Sequence, residues 1–330
     1  MREEQILLTS RIRLARNIEG YPFPSRINEE EAKNLKDKII QTLHLREDVW
    51  MHYDLTSMSP LESMYSIEEN KISYQLVNNK KMSSFFVGPN REVIMFLEED
   101  HLRMQDMRKG FYLEEEYANL AKLNAELEEE LNFSFNEKLG YLTACPTNVG
   151  TGIRASCMLH LPALDHFGME SVNRSINRMG FVLRGMNGEG SKSIGHIYQI
   201  SNERTLGLTE EEFVKRAKSL TLEIMDLERR KRKELYLDHL IDLEDMARRA
   251  YGIMRNARIL SHEESLEHLS HIKLGIDMSV LKPQKDFDFY DEVVSLGKAH
   301  LQIERGSYLD EKSGNIYRAN RARKLMKEVF

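Results

Sequence analysis

Four short stretches of the sequence combine charged side chains with polar or flexible residues. The first, at residues 10–16, reads SRIRLAR. If it forms a strand, Arg11 and Arg13 point to the same face, because side chains alternate along a strand. Two adjacent guanidinium groups repel each other, and phosphate, which matches their planar forks, would relieve that repulsion. The alternative is a solvated edge strand, since surface arginines are common.

The second stretch, LEEDHLRMQ at residues 97–105, is rich in carboxylates. Glu98, Glu99 and Asp100 follow an apolar run, and His101 and Arg103 come next. Crowded carboxylates are costly unless they share a cation or a proton. This stretch therefore predicts a carboxylate that binds a cationic substrate beside an arginine that binds an anion. The alternative is a charged loop after a strand.

The third stretch, TACPTNVGTGIRAS at residues 143–156, contains small residues that would not pack a core. Glycines allow backbone N–H groups to approach an oxyanion closely, and Arg154 adds a full positive charge. Cys145 precedes a proline and a polar loop, so we expect it to be more exposed than a core cysteine. The alternative is an ordinary turn with a buried thiol.

The fourth stretch, LRGMNGEGSKS at residues 183–193, resembles a phosphate-binding loop only superficially. In the pattern GxxxxGK[ST], Ser191 occupies the lysine position, and the following residues predict a strand where a helix is required. The spacing of GxGxxG also fails. What remains is a glycine-rich loop that carries Arg184 and Glu189.

Together these stretches predict a site that binds both an anionic donor and a cationic acceptor. Arginines neutralise a polyphosphate, whereas glutamates do not bind phosphate. A magnesium nucleotide and a guanidinium group fit that combination.

The composition limits the class of protein. Of the 330 residues, 41% are hydrophobic, which is enough to form a core, and 30% are charged. The net charge of −6 gives no overall attraction to nucleic acid or anionic membranes. No signal peptide or membrane-spanning run is evident. Two cysteines predict no disulfide framework, and no CxxC or HExxH spacing predicts a metal site. We therefore expect a cytoplasmic protein.

Hydrophobic periodicity predicts the elements that would position these residues. It predicts helices over 28–44, 113–131 and 169–179, a hairpin over 82–97, a helix after a Thr209–Glu212 capping box, and strands at YLTAC, IRASCMLHL, FVLRG and GHIYQIS. Most connections are too short for parallel crossovers, so we expect an α+β fold with a largely antiparallel sheet flanked by helices. We predict a catalytic domain at 1–231 and a helical C-terminal domain at 232–330.

The motifs SRIRLAR, EEDHLR, CPTNVGTGIRAS, RGMNGEG and HIYQISNERTLGLTE, in this order, resemble those of the phosphagen (guanidino) kinases. The resemblance covers about residues 7–230. It implies that the nucleotide phosphates are bound by five arginines, Arg11, Arg13, Arg103, Arg154 and Arg184. It also implies that Glu99 and Glu189 bind the acceptor, that Cys145 is the family's reactive cysteine, and that ATP and Mg²⁺ are required.

The sequence departs from the small-molecule kinases of that family. The first motif begins near residue 7, where those enzymes would already have a helical domain that closes over a small substrate. Met158 replaces a family histidine, so adenine contacts should differ, and Leu97 replaces the asparagine of the acidic motif. A helical unit follows the catalytic unit, and this architecture is similar to the bacterial protein-arginine kinases of the McsB type.

That resemblance implies protein substrates with exposed arginines, a zinc-binding activator protein, a link to the Clp protease system and a heat-shock repressor as one target. A homo-oligomer is possible. The helical unit of such proteins binds phosphoarginine through an Arg-Asp-x-x-Arg-Ala motif. Its nearest match here places Arg318 and Arg321 at the arginine positions and Ala319 at the aspartate position. The alternative is that both arginines are solvated helix residues.

Two other functions stay open at this point. One is a kinase that phosphorylates free arginine or a related small guanidino compound. The other is a non-enzymatic adaptor that keeps the kinase fold.

Overall fold

The computed structural model describes residues 6–44, 49–79, 82–185 and 193–330. Glu189 lies outside these residues. Within them the strands are β1 (Leu7–Arg16), β2 (Met51–Asp54), β3 (Ser84–Val87), β4 (Val93–Phe96), β5 (Leu102–Lys109), β6 (Phe135–Asn136), β7 (Gly140–Tyr141), β8 (Ile153–His160), β9 (Phe181–Gly185) and β10 (Ile197–Asn202).

The helices of the same residues are α1 (Glu29–His44), α2 (Pro60–Glu68), α3 (Tyr74–Asn78), α4 (Leu113–Leu131), α5 (Pro162–Phe167), α6 (Glu170–Arg178), α7 (Glu210–Asp238), α8 (Leu240–Asn256), α9 (His262–Asp277), α10 (Phe289–Ser295), α11 (Lys298–Arg305) and α12 (Glu311–Val329). The predicted capping boxes form at the starts of α1 and α7. Asn28 and Glu31 exchange hydrogen bonds in the first, and Thr209 and Glu212 in the second.

In the described residues, eight strands form one antiparallel sheet in the order β2-β3-β4-β5-β1-β8-β10-β9. The predicted α+β fold is confirmed. The polar and apolar side chains of β1 alternate, so the sheet has two different faces. Ile12 and Leu14 are fully buried in the main core, to which α4 and α7 also contribute. Arg11 and Arg13 lie on the opposite face, where they line a cavity.

A second core joins the sheet to the C-terminal helices. Leu8 of β1 and Ile197 of β10 pack with buried residues of α8, α9 and α12. Helix α7 runs without interruption from Glu210 to Asp238, across the predicted domain division, which stays a prediction.

The prediction of a strand at YLTAC is wrong. Only Tyr141 of this segment lies in a strand, and a short 3-10 turn at Pro146–Asn148 follows. Ala144 donates its backbone N–H to the side chain of Asp100, and the backbone carbonyl of Cys145 accepts from the hydroxyl of Thr143, so these two backbone groups are not paired in a ladder.

Among the described residues, no helix combines the length and apolar character required to cross a membrane.

Candidate active site

One cavity of about 290 Å³ lies on the polar face of the sheet. It brings together every predicted nucleotide-binding arginine and two of the three predicted catalytic residues, namely Arg11, Arg13, Arg103, Arg154, Arg184, Glu99 and Cys145. The strand register explains the convergence. Arg13 of β1 is paired with Arg154 of β8, and Ala15 with Arg103 of β5, so these side chains emerge on the same face.

Arg11 and Arg13 of β1 carry positive charge that the described protein groups compensate poorly. Burial lowers the pKa of Arg11 to about 10, and the nearby charge of Arg103 adds to the effect. Burial also lowers the pKa of Arg13, with further contributions from Arg11 and Arg103. The Nε atom of Arg13 is buried and has no hydrogen-bond partner among the described residues. An anion with several oxygens would satisfy both the charge and the donors.

Arg103 is fixed by an acidic neighbour. Its guanidinium group donates to the buried carboxylate of Glu98, which also accepts a hydrogen bond from the hydroxyl of Ser73. Asn79 donates to the backbone carbonyl of Glu98 at 3.0 Å. Glu98 therefore positions Arg103 and is not available to bind an acceptor.

Glu99 is the carboxylate of this stretch that faces the cavity without a partner. Among the described residues, its carboxylate makes no hydrogen bond or ion pair, and only its backbone N–H donates, to Glu98. Burial raises the pKa of Glu99, and the charges of Asp100 and Glu98 raise it further. A half-buried carboxylate of this kind would gain from a cationic ligand.

Asp100 and His101 have structural roles. Asp100 accepts hydrogen bonds from Asn17 at 2.7 Å and from the backbone of Ala144 at 2.6 Å, which links the acidic stretch to the turn. His101 is buried and contacts the backbone of Ile18 and Pro22 with its two ring nitrogens.

The turn at residues 145–154 presents Cys145 and Arg154 to the cavity. The Sγ atom of Cys145 lies 3.1 Å from the hydroxyl of Thr147. Cys145 is partly exposed, as predicted, whereas Cys157 is buried. Gly152 has a φ of +64°, and a Cβ atom there would lie 2.6 Å from the carbonyl oxygen of Ala15. Only glycine allows the turn to pass this close to β1.

Arg154 is held by polar groups that the sequence motifs did not single out. It donates to Asn148 Oδ1 at 3.2 Å, to Thr147 Oγ1 at 3.1 Å and to the carbonyl of Asn202 at 3.0 Å. Neutral acceptors orient its guanidinium group without cancelling the charge. Gln199 and Ser201 also line the cavity, and their alternation with Ile200 in β10 could have indicated them.

Arg184 lies near the end of β9, paired with Gln199 of β10. β9 is an edge strand of the sheet, so Arg184 lines the cavity from that edge, whereas Glu99 lines it from the segment between β4 and β5 on the other side of β1. Glu189 follows it in sequence but lies outside the described residues, so its role stays a prediction.

Arg318 and Arg321 lie elsewhere, on α12. Arg318 is buried and donates to the carbonyls of Leu296 and Leu260, so the alternative of a solvated residue is wrong for it. It lines a cavity of about 810 Å³ that also contains Glu263 and Glu311, whose charges disfavour a phosphate. Arg321 forms an ion pair with Glu292 at 3.4 Å and lies 3.9 Å from Glu304. Phosphoarginine binding by this pair stays a prediction.

Comparison with known proteins identifies the family. The profile of the ATP:guanido phosphotransferase C-terminal catalytic domain matches residues 31–231, which is more than half of the chain. The chain belongs to the ATP:guanido phosphotransferase family. A second profile, the protein-arginine kinase McsB C-terminal domain, matches residues 240–329. The resemblance inferred from the motifs is confirmed.

Relatives within this family match along nearly their whole length. The protein-arginine kinase of Clostridium tetani is 37% identical over 98% of this chain and 95% of its own. That of a Geobacillus species is 38% identical over 98% of this chain and 91% of its own.

Solved structures of other family members have the same fold. A lombricine kinase aligns with a TM-score of 0.61 at 24% identity, over 69% of this chain and 68% of its own. A duplicated taurocyamine kinase from Schistosoma mansoni aligns with a TM-score of 0.65 at 26% identity, over 78% of this chain and 40% of its own.

Proposed function

We propose that this protein transfers the γ-phosphoryl group of ATP to arginine side chains of proteins. The observation that carries the proposal is a cavity in which five arginines lie beside the carboxylate of Glu99, which has no hydrogen-bond or ion-pair partner among the described residues. Relatives named protein-arginine kinase, which match almost the entire chain, support a protein as the acceptor.

In this proposal the five arginines bind the nucleotide phosphates and offset negative charge as the phosphoryl group moves. Arg11 and Arg13 take part in this offset, and burial together with the neighbouring arginines makes their positive charge costly until an anion binds. Mg²⁺ enters as the nucleotide complex and, when bound, offsets further phosphate charge.

Glu99 acts as the base and orients the acceptor. A guanidinium group is a poor nucleophile, so a proton must leave nitrogen as the N–P bond forms and the bond from phosphorus to the ADP oxygen breaks. Glu99 accepts that proton. Glu189 orients the second side of the guanidinium group, and Cys145 contributes to holding its charge. Positioning of this kind lowers the activation free energy by several kcal/mol.

The test uses Glu99→Gln, which removes the base while keeping the size of the side chain. The purified protein is incubated with Mg-ATP and an arginine-containing protein, with the activator added, and acid-labile phosphate on protein is measured. Free arginine is assayed in parallel. We expect kcat to fall about 10²- to 10⁴-fold. The control is Glu114→Gln, because Glu114 lies on the surface of α4 and pairs only with Lys218.

Normal turnover by a folded Glu99→Gln protein would remove Glu99 from its assigned role. Phosphorylation of free arginine alone would indicate a small-molecule kinase. No phosphorylation of either substrate by the unmodified protein, in the presence of the activator, would indicate a binding module.

On the family resemblance alone, we extend the proposal to the cellular role. The phosphorylated proteins, a heat-shock repressor among them, would be directed to Clp-type proteolysis in the cytoplasm, with a zinc-binding activator and with self-association of the kinase. Degradation of the repressor by the protease system that is equally fast with and without kinase would contradict this role.

A further inference from the structure

Three potential metal ligands meet where the segment that enters β10 packs against α9. His196 precedes β10, and Glu267 and His271 lie one turn apart on α9. The Nε2 atom of His196 lies 3.4 Å from Nε2 of His271 and 3.3 Å from Oε1 of Glu267. The third side of the triangle, from Nε2 of His271 to the same Glu267 oxygen, is 3.7 Å.

These distances fit a four-coordinate zinc site. Ligand atoms about 2.0–2.1 Å from a tetrahedral zinc ion lie about 3.3–3.4 Å from one another. An ion about 2.1 Å from each of the three atoms would lie about 0.6 Å out of the plane that they define, as calculated from the three separations, which is close to the position of a tetrahedral zinc ion. Two imidazoles and one carboxylate are also a ligand set that zinc accepts.

The surroundings orient the ligands in the way that metal sites require. Asp165 Oδ2 lies 2.7 Å from Nδ1 of His196, so this nitrogen carries the proton and Nε2 presents its lone pair to the triangle. Tyr198 in turn hydrogen-bonds to Asp165. The second oxygen of Glu267 accepts from the backbone N–H of Gly195 at 3.4 Å.

The backbone before β10 is shaped to bring His196 to α9. Gly195 and His196 both have positive φ values, +65° and +53°. A Cβ atom on Gly195 would lie 3.0 Å from the carbonyl oxygen of Leu266. A positive φ in a histidine is uncommon and tends to occur at functional sites.

The triangle faces a cavity of about 1000 Å³, which leaves room for a fourth ligand. The side chains of His196 and His271 are 17% and 19% exposed, so an ion can enter without unfolding of the site. Glu263 and Glu264 line the same cavity and make it favourable to a cation. Water can complete the tetrahedron.

We propose that His196, Glu267 and His271 bind one Zn²⁺ ion, which links the segment entering β10 to helix α9. The ion joins the catalytic sheet to the C-terminal helices. In the sequence, His196 lies seven residues after Glu189. Arg184 and Gly185, which line the nucleotide cavity, also line this one.

The competing explanation is a hydrogen-bonded cluster in which His196 is shared between Asp165 and Glu267. That arrangement needs no ion. The two explanations differ in what they predict for metal binding, so a direct measurement separates them.

The full-length protein is treated with a chelator, titrated with Zn²⁺ and analysed for bound metal after gel filtration. We expect one equivalent per chain. Co²⁺ in place of Zn²⁺ should give the visible absorption of a four-coordinate ion. Bound Zn²⁺ should raise the Tm.

Variants locate the ion. His196→Gln and His271→Gln should lose stoichiometric binding, and Asp165→Asn should bind about 10- to 100-fold more weakly because it disturbs the orientation of His196. His268→Gln is the matched control, since His268 lies on the same helix, outside the triangle, and should retain one equivalent. If His271→Gln does not fold, Glu267→Gln replaces it.

Absence of a bound equivalent in the unmodified protein would overturn the proposal in favour of the hydrogen-bonded cluster. Equal loss of zinc in His268→Gln and His271→Gln would also overturn it, as would a six-coordinate Co²⁺ spectrum.

Discussion

His300 joins the first helix after β2 to the C-terminal helices, and its removal should destabilise the protein in a pH-dependent way. Its ring nitrogens lie 2.7 Å from Glu68 Oε2 and 2.9 Å from Glu69 Oε1. Burial alone would lower the pKa of His300, but the hydrogen bonds to Glu68 and Glu69 outweigh it and raise the pKa to about 9.

The raised pKa of His300 gives the size of its contribution to the free energy of unfolding and the direction in which that contribution changes with pH. A rise from 6.5 to about 9 corresponds to about 3.4 kcal/mol. Solvent screening at this partly exposed cluster reduces that figure, and we expect about 1–2 kcal/mol. Because the pKa is higher in the folded state, the stabilisation is complete below pH 6.5 and is lost as the pH rises through about 9.

The assay is urea denaturation of the unmodified protein and of His300→Gln at pH 6 and pH 9.5. The difference in free energy of unfolding should be about 1–2 kcal/mol at pH 6 and should shrink at pH 9.5. Hydrogen exchange of the amides of Ala299 and His300, which both donate to Glu68, should accelerate in the variant at pH 6.

His239→Gln is the control, because His239 is 43% exposed and lies 3.6 Å from Asp242. It should change the free energy of unfolding by less than about 0.5 kcal/mol. A His300→Gln effect that is the same at both pH values would refute the reasoning, since charge on the imidazole would then not be its source.

Two further predictions concern the turn and the buried ion pairs. Gly152→Ala should lower the free energy of unfolding by about 1–3 kcal/mol and reduce kcat, because the new Cβ atom would meet the carbonyl oxygen of Ala15 and displace Arg154. Gly207→Ala is the control, since Gly207 also has a positive φ but a Cβ atom there would meet no other atom, and this variant should retain activity. Equal losses of kcat in the two variants would disprove this prediction. Arg232→Met should cost about 3–5 kcal/mol in urea denaturation, because it leaves the buried carboxylate of Glu228 without its cation and leaves Asp277 paired with Lys273 alone. The exposed Lys233→Met on the same helix should be nearly neutral, and a neutral Arg232→Met would contradict the prediction.

The sequence by itself determined the fold class and, through its motifs, the five arginines, Glu99 and Cys145 that line the cavity. Alternation along SRIRLAR placed Arg11 and Arg13 on one face of a strand, and the capping residues placed the starts of α1 and α7. These features are local, since they depend on side-chain periodicity and on residues within one turn of each other.

Tertiary structure decided which of several similar residues is available for chemistry. Glu98, Glu99 and Asp100 are adjacent acids in the sequence, but Glu98 pairs with Arg103 and Asp100 with the turn, which leaves Glu99 facing the cavity. Local pattern could not show this, because the deciding partners lie in other strands and turns.

The candidate zinc site is a second feature that local sequence pattern could not predict. The spacing motifs of the sequence predicted no metal site, and His196 and His271 are 75 residues apart. The positive φ values at Gly195 and His196, together with the packing of α9 against this segment, bring them within 3.4 Å. These ligands come from a loop and a distant helix, so they lie close together only after the chain has folded. Their contact depends on tertiary packing and not on the periodicity of the sequence.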